Sequence, residues 1–287
     1  MPATLRTPDP LPDGHEAKWA AAAAAWTGGD YVLEDYATAE AALDGYAAFH
    51  ASALQQPSQS LVFVPNQYGL GNRLRAMKAA LLVAMLTGRV FHVRWDEPFP
   101  VDALLQPEKV DWRLPDPPLP TAGVAKPSRA ARGEPRAVEI LCLPFATAPG
   151  NGDCGEGLNL LQRGDLRKRY AETQVVEVHT FTDLNIYLVN NPHYSATLAR
   201  LGGSCPKRMG CLYRFLFSPT LPVRQKLDAL LAGGSDDAAW DGSYVGVQVR
   251  NRLWKLEGIK VGSSGGGASS TRIIECMDRC APLIAQR

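Results

Sequence analysis

At 287 residues, 46% of them apolar, the chain is long enough for one large domain or two modest ones and apolar enough to build real cores. Thirty Lys and Arg stand against 29 Asp and Glu, and a net charge of +1 gives no global basic field of the kind that gathers on a phosphate backbone, which excludes a general nucleic-acid binder. The longest apolar runs, Ala20 to Trp26 and Ala79 to Leu86, fall far short of the roughly 20 residues that cross a bilayer, so no transmembrane helix is expected. The proline-bearing start, Met1 to Pro10, lacks the basic-then-apolar order of a signal peptide.

Residues 1–57 read as a Pro-rich lead followed by Ala-rich helices over Ala17 to Trp26 and Thr38 to Leu54, broken by Gly28 and Gly29. Leu61 to Pro65 has the β-branched and aromatic content of a buried strand. A glycine loop, Tyr68 to Asn72, follows at once. From Arg73 to Leu86 the residues Leu74, Met77, Leu81, Leu82 and Met85 fall at helical spacing, and Thr87-Gly88 ends that helix. Val90 to Trp95 is the next strand. Strand, glycine loop, helix and strand make a βαβ unit, which implies a parallel sheet and an α/β fold class.

Prolines then recur from Pro98 to Arg136, so this stretch reads as a long surface insertion, 98–136. Strands are expected at Val138 to Leu143, Val175 to His179 and Asn185 to Val189, and helices near Tyr194 to Leu201 and over Leu221 to Ala232. Gly233 to Asp237 is a turn or linker. Tyr244 to Arg250 is a further strand that ends on a cation, Gly262 to Ser270 is a low-complexity loop, and an amphipathic helix runs from Thr271 to Ala285. The domain reading is a helical extension over 1–57, a first domain over 58–235, and the start of a second over 240–287.

Six cysteines are too few for a disulfide scaffold, and no pair has CxxC spacing. Cys205 and Cys211 are either a local disulfide in an oxidising compartment or two ordinary thiols. Cys276 and Cys280, four apart on the last helix, suit a packed helical face better than a metal site. His15, His50, His92 and His193 form no metal spacing, and no metal site is expected.

Two places can carry chemistry. Gly69-Leu-Gly-Asn-Arg73 sits where strand meets helix, where exposed amides and the positive helix end favour an anion such as a diphosphate. The same glycines also fit a plain connecting turn. They approach the dinucleotide fingerprint, with Asp96 and Glu97 as ribose-binding acids, but Leu74 occupies the third glycine position that motif needs. Arg250, at the C-terminal end of a strand, can fork two hydrogen bonds onto phosphate oxygens or form a structural ion pair.

Three blocks in order, Gly69 to Trp95, Gly210 to Pro219 and Tyr244 to Arg250, give the chain its resemblance to the fucosyltransferase superfamily, which includes plant xyloglucan fucosyltransferases and protein O-fucosyltransferases. It is most similar to the plant type. The resemblance covers residues 60–287, patchily through the Pro-rich insertion. It implies a GT-B-like enzyme with two Rossmann-like domains facing across a cleft. Such an enzyme moves fucose from GDP-fucose to a glycan or glycoprotein acceptor with inversion, needs no metal or other cofactor, and works in the Golgi or secretory pathway, here on cell-wall or other glycosylation targets.

Carried over by residue, Arg250 matches the strand-end arginine that holds the diphosphate, and Asn72 with Gly69 and Gly71 matches the glycine loop facing the cleft, with Arg73 as either a second cation or an exposed helix position. Asp96, Glu97, His179 and Asp183, at strand ends, are the candidates for the acceptor base, and solvated turn residues or caps are the alternative. Trp95 and Trp112 either stack on a sugar or fill the core. Gln248 departs from the histidine that related families often place two residues before the arginine. The sequence offers few residues beyond Arg250 to grip guanine and ribose, so the second domain is expected to be incomplete and residues 1–287 alone to have little transferase activity. A catalytically inactive sugar-binding or scaffolding relic and a dinucleotide-binding oxidoreductase are the rival readings.

Overall fold

The computed structural model describes residues 15–55, 58–65, 69–97, 99–115, 119, 136–142, 154–180, 183–204 and 208–232. Met1–Gly233 form one compact unit and Gly234–Arg287 a second, and every described element belongs to the first. The strand and helix predicted at Tyr244 to Arg250 and Thr271 to Ala285, and with them Arg250, lie outside the described residues.

The alanine-rich segment is helix α1 (His15–Ala25), followed by Gly28 and Gly29 at φ of 92° and 94°, a left-handed backbone that no continuing helix shares. Helix α2 (Ala39–Ala53) begins at Thr38, whose hydroxyl accepts from the Ala41 amide. Between the two helices, the Tyr31 hydroxyl donates to the Ala42 carbonyl at 2.9 Å, and Tyr46 donates to the Arg89 carbonyl at 2.6 Å. Both rings are buried in the main core.

The predicted βαβ unit is present as β1 (Ser60–Pro65), α3 (Leu70–Thr87) and β2 (Val90–Val93). Helix α3 starts three residues earlier than its apolar spacing predicts, because Gly69 serves as N-cap and Leu70 to Asn72 form the first turn. Its end is as expected: Gly88 adopts φ 62°, and a Cβ there would stand 2.9 Å from the Tyr31 carbonyl oxygen. The chain continues through β3 (Leu105–Pro107), β4 (Arg136–Cys142), α4 (Cys154–Arg163), α5 (Leu166–Arg169) and β5 (Thr173–Thr180). It then passes α6 (Asn185–Leu188), α7 (Ser195–Ser204), α8 (Arg208–Leu216), β6 (Phe217–Pro219) and α9 (Leu221–Ala232).

The main sheet has four parallel strands in the order β2-β1-β5-β4. From β1 the chain moves outward to β2 on one side, whereas β5 flanks β1 on the other. The C-terminal ends of these parallel strands form the edge at which open α/β sheets take their ligands. Side chains alternate strictly. Leu61, Phe63, Phe91, Val93, Val176 and Val178 join the core that α3 builds. The opposite face carries Val62, His92, Glu177 and His179, all buried.

Several expectations are corrected. Asn185 to Val189 is helical over Asn185–Leu188 rather than a strand: the Asp183 carboxylate accepts from the Asn185 amide, and burial falls on Leu184 and Leu188, four apart, while Ile186 and Val189 are exposed. Residues 99–115 do not loop out as a surface insertion. Val101, Val110 and Trp112 are in the core, the Trp112 indole donates to the Leu216 carbonyl at 2.7 Å, and β3 pairs antiparallel with β6. The motif block Gly210 to Pro219 is thus the end of α8 plus the strand that closes this small second sheet. Cys211 is disulfide-bonded, which removes the reading of it as an ordinary thiol, Cys142 is disulfide-bonded as well, and Cys205 lies outside the described residues.

Candidate functional site

Around the C-terminal edge of the main sheet the fold gathers Gly69 to Arg73, Arg94 to Glu97, and His179, Thr180 and Asp183. The first of these is a helix end. Gly69 (φ −61°) has an ordinary extended backbone, no side chain among the described residues caps the first turn of α3, and that turn carries no acidic residue. A Cβ at Gly69 or Gly71 would meet no atom within 4 Å. Neither glycine is demanded by backbone strain or by packing, and both are exposed. Among the described residues, nothing fills the space within 4 Å of either glycine at the positive end of this 18-residue helix.

Arg73 is buried, which removes the reading that it is an exposed helix position. Its guanidinium donates to the Glu97 carbonyl and lies 5.2 Å from the Trp95 ring centre, and desolvation pulls its pKa below the usual arginine range. It ties the start of α3 to the segment after β2. Trp95 and Trp112 are core residues, 3% and 1% exposed, and neither offers a face for a sugar. The Asp96 and Glu97 side chains are exposed at the rim. Asp183 pairs with Lys78, Oδ2 to Nζ 2.8 Å, and Lys78 is only 2% exposed. Through that pairing the Asp183 carboxylate neutralises a cation buried in α3.

His179 is the fourth candidate base, and the structure supplies partners that its place at a strand end does not reveal. Glu177, two residues earlier on the same face of β5, is 2% exposed at its side chain. Its Oε2 lies 3.1 Å from His179 Nε2, and its Oε1 lies 2.6 Å from Arg94 Nη1. A signal was present in the strand itself: in Thr-Gln-Val-Val-Glu-Val-His-Thr a carboxylate and an imidazole sit two apart amid valines, a costly placement unless they are partnered.

Farther along the same face, His92 and His50 lie 6.1 Å apart. His50 Nε2 donates to the Phe91 carbonyl at 2.9 Å, and its pKa is lowered to about 4 by burial and by the nearby His92. Burial lowers His92 as well. These two are packed, neutral rings and not ligands. Among the described residues no group of three His, Cys, Asp or Glu is placed to hold a metal ion, and no helix is long and apolar enough to cross a membrane.

A cavity of about 400 Å³ lies among α2, α3, α6, α7 and α8. Its wall is mainly Leu33, Leu43, Leu82, Met85, Leu198 and Leu212, and its polar content is the paired Lys78 and Asp183 with Asn185. Such a lining suits an apolar body, not a diphosphate, so the sheet edge and not this cavity is the candidate site.

No protein-family description matches the chain, and no curated protein matches it. Among solved structures, a point mutant of Arabidopsis thaliana FUT1 in complex with GDP aligns with a TM-score of 0.51 and 20% identity. The alignment covers 67% of this chain and 49% of that one, so the chain matches about half the length of its solved neighbour. The parallel α/β sheet and this alignment lead to one conclusion: the chain has a fucosyltransferase-like fold.

Proposed function

We propose that this chain serves a glycosyltransferase that moves fucose from GDP-fucose to a hydroxyl of a glycan or glycoprotein, with inversion. The observation that carries the reading is the glycine end of α3, uncapped among the described residues, at the C-terminal edge of a sheet whose fold is shared with a GDP-bound fucosyltransferase. By that reading the loop of Gly69, Gly71 and Asn72 contacts the nucleotide sugar. Arg250 neutralises the β-phosphate as GDP departs, where a fixed guanidinium stabilises the transition state more than the ground state. Protein cations and helix amides carry that charge in place of a metal. Disulfide bonding at Cys142 and at Cys211 supports an oxidising compartment such as the secretory pathway, the Golgi included.

Calorimetric titration of the chain with GDP, GDP-fucose and NAD separates the readings. Heat with both guanine nucleotides, unchanged by a chelator, is the expected result. Preference for NAD would establish the oxidoreductase reading, and no nucleotide binding at all would leave a relic.

A further inference from the structure

Resting on that reading, we infer that His179 is the base that activates the acceptor hydroxyl, and that Glu177, clamped by Arg94, is the residue that positions it.

The chemistry follows from what each group can do. An ionised carboxylate only accepts hydrogen bonds, so the 3.1 Å contact between Glu177 Oε2 and His179 Nε2 requires the proton to be on Nε2. In its neutral form the ring then carries its lone pair on Nδ1, and Nδ1 is the atom able to take a proton. The carboxylate cannot swing away, because its other oxygen is held 2.6 Å from Arg94 Nη1. Arg94 stands one residue beyond β2, on the same face as His92, and reaches over β1 to do this.

The register places the ring at the ligand end of the sheet. His179 pairs with Val64 of β1 and with Cys142 of β4, each within one residue of its strand's last position or at it. Of the four candidates named from sequence, Asp183 is committed to Lys78, and Asp96 and Glu97 lie exposed at the rim. His179 is the one whose buried partner fixes both its proton and its ring plane.

In the step this permits, the acceptor oxygen attacks the anomeric carbon of fucose as its proton passes to His179 Nδ1. The bond from that carbon to the β-phosphate oxygen breaks, and GDP leaves with the electron pair. The imidazolium formed is stabilised by the Glu177 carboxylate and later gives its proton to water. One new C–O bond replaces one broken C–O bond, and the anomeric centre inverts.

The test uses the full chain and three proteins: wild type, His179→Gln and Glu177→Leu. In wild type, nitrogen-edited NMR of the histidine rings is expected to show a slowly exchanging, downfield Nε2 proton that is missing in His179→Gln and in Glu177→Leu. Acceptor-dependent GDP release, expected to be slow in wild type, should fall to the level of buffer in His179→Gln. Glu177→Leu should fall by less, and its KM for GDP-fucose should stay within about twofold of wild type, a split that mere loss of folding would not produce. Wild-type turnover in His179→Gln overturns the inference and leaves the functional reading intact. A downfield Nε2 proton that persists in Glu177→Leu overturns the positioning role. Absence of GDP release and of GDP binding in wild type overturns the functional reading, and the inference with it.

Discussion

Arg94 crosses over β1 to place its Nη1 2.6 Å from Oε1 of Glu177 on β5. The pair joins two strands that do not touch in the sheet order β2-β1-β5-β4, so it fastens the C-terminal edge of the sheet from above as the backbone ladders fasten it from within. Arg89 does the same at the opposite end of β2, where it is 1% exposed and donates to the carbonyls of Ser60, Tyr170 and Gln174. The sheet is held by a buried guanidinium at its N-terminal edge and by a half-buried one at its ligand edge.

Because Glu177 is 2% exposed, removing its cationic partner should be costly. Arg94→Met is expected to lose about 3 kcal/mol of stability, by the usual cost of breaking a buried pair from one side. The double substitution Arg94→Met with Glu177→Leu should regain most of that loss, since no buried charge is then left behind. Urea unfolding of wild type, the two single variants and the double variant checks both statements, and equal stability of Arg94→Met and wild type would contradict them.

Acid should weaken the domain through the packed histidines. In the unfolded chain an imidazole binds its proton near pH 6.5, whereas burial holds folded His50 to about 4 and moves His92 in the same direction. Between those values the unfolded state binds more protons, so stability is full above about pH 6.5 and declines as pH falls toward 4. A thermal-unfolding series from pH 7.5 to about 4 should show this fall, and His50→Gln should flatten it. A midpoint that is level across the range, or one that rises on acidification, would contradict the assignment of His50 as a buried neutral ring.

Much of the fold was legible wherever one residue period dominated. Leu61 to Pro65, the α3 stripe and Val90 to Trp95 each repeat at one spacing, and the parallel pairing followed from their order. Asn185 to Val189 misled because its β-branched residues, Ile186 and Val189, lie on the outside, and the Asp183 carboxylate accepts from the Asn185 amide at the start of a short helix, a contact that propensity alone does not reveal. Val101, Val110 and Trp112 were hidden by the prolines around them, since only tertiary pairing with Phe217–Pro219 gives that stretch a core to enter. His179 was visible as a strand-end group. Its partners were not, because Arg94 and Glu177 are 83 residues apart and only the β2-β1-β5 order brings them together.

The central claim is that the glycine end of α3 faces a nucleotide sugar, and amide NMR of the labelled chain titrated with GDP-fucose tests it most directly. The expected result is saturable shifts at Gly69, Gly71, Asn72 and Arg73, with weaker ones at Asp96 and Glu97 on the facing rim and none in Leu43, Leu82 or Leu198 around the apolar cavity. Arg250 should shift with the first group, and NAD at the same concentration should move none of them. Shifts confined to the apolar cavity, or a glycine loop that responds to NAD and not to GDP-fucose, would contradict the account.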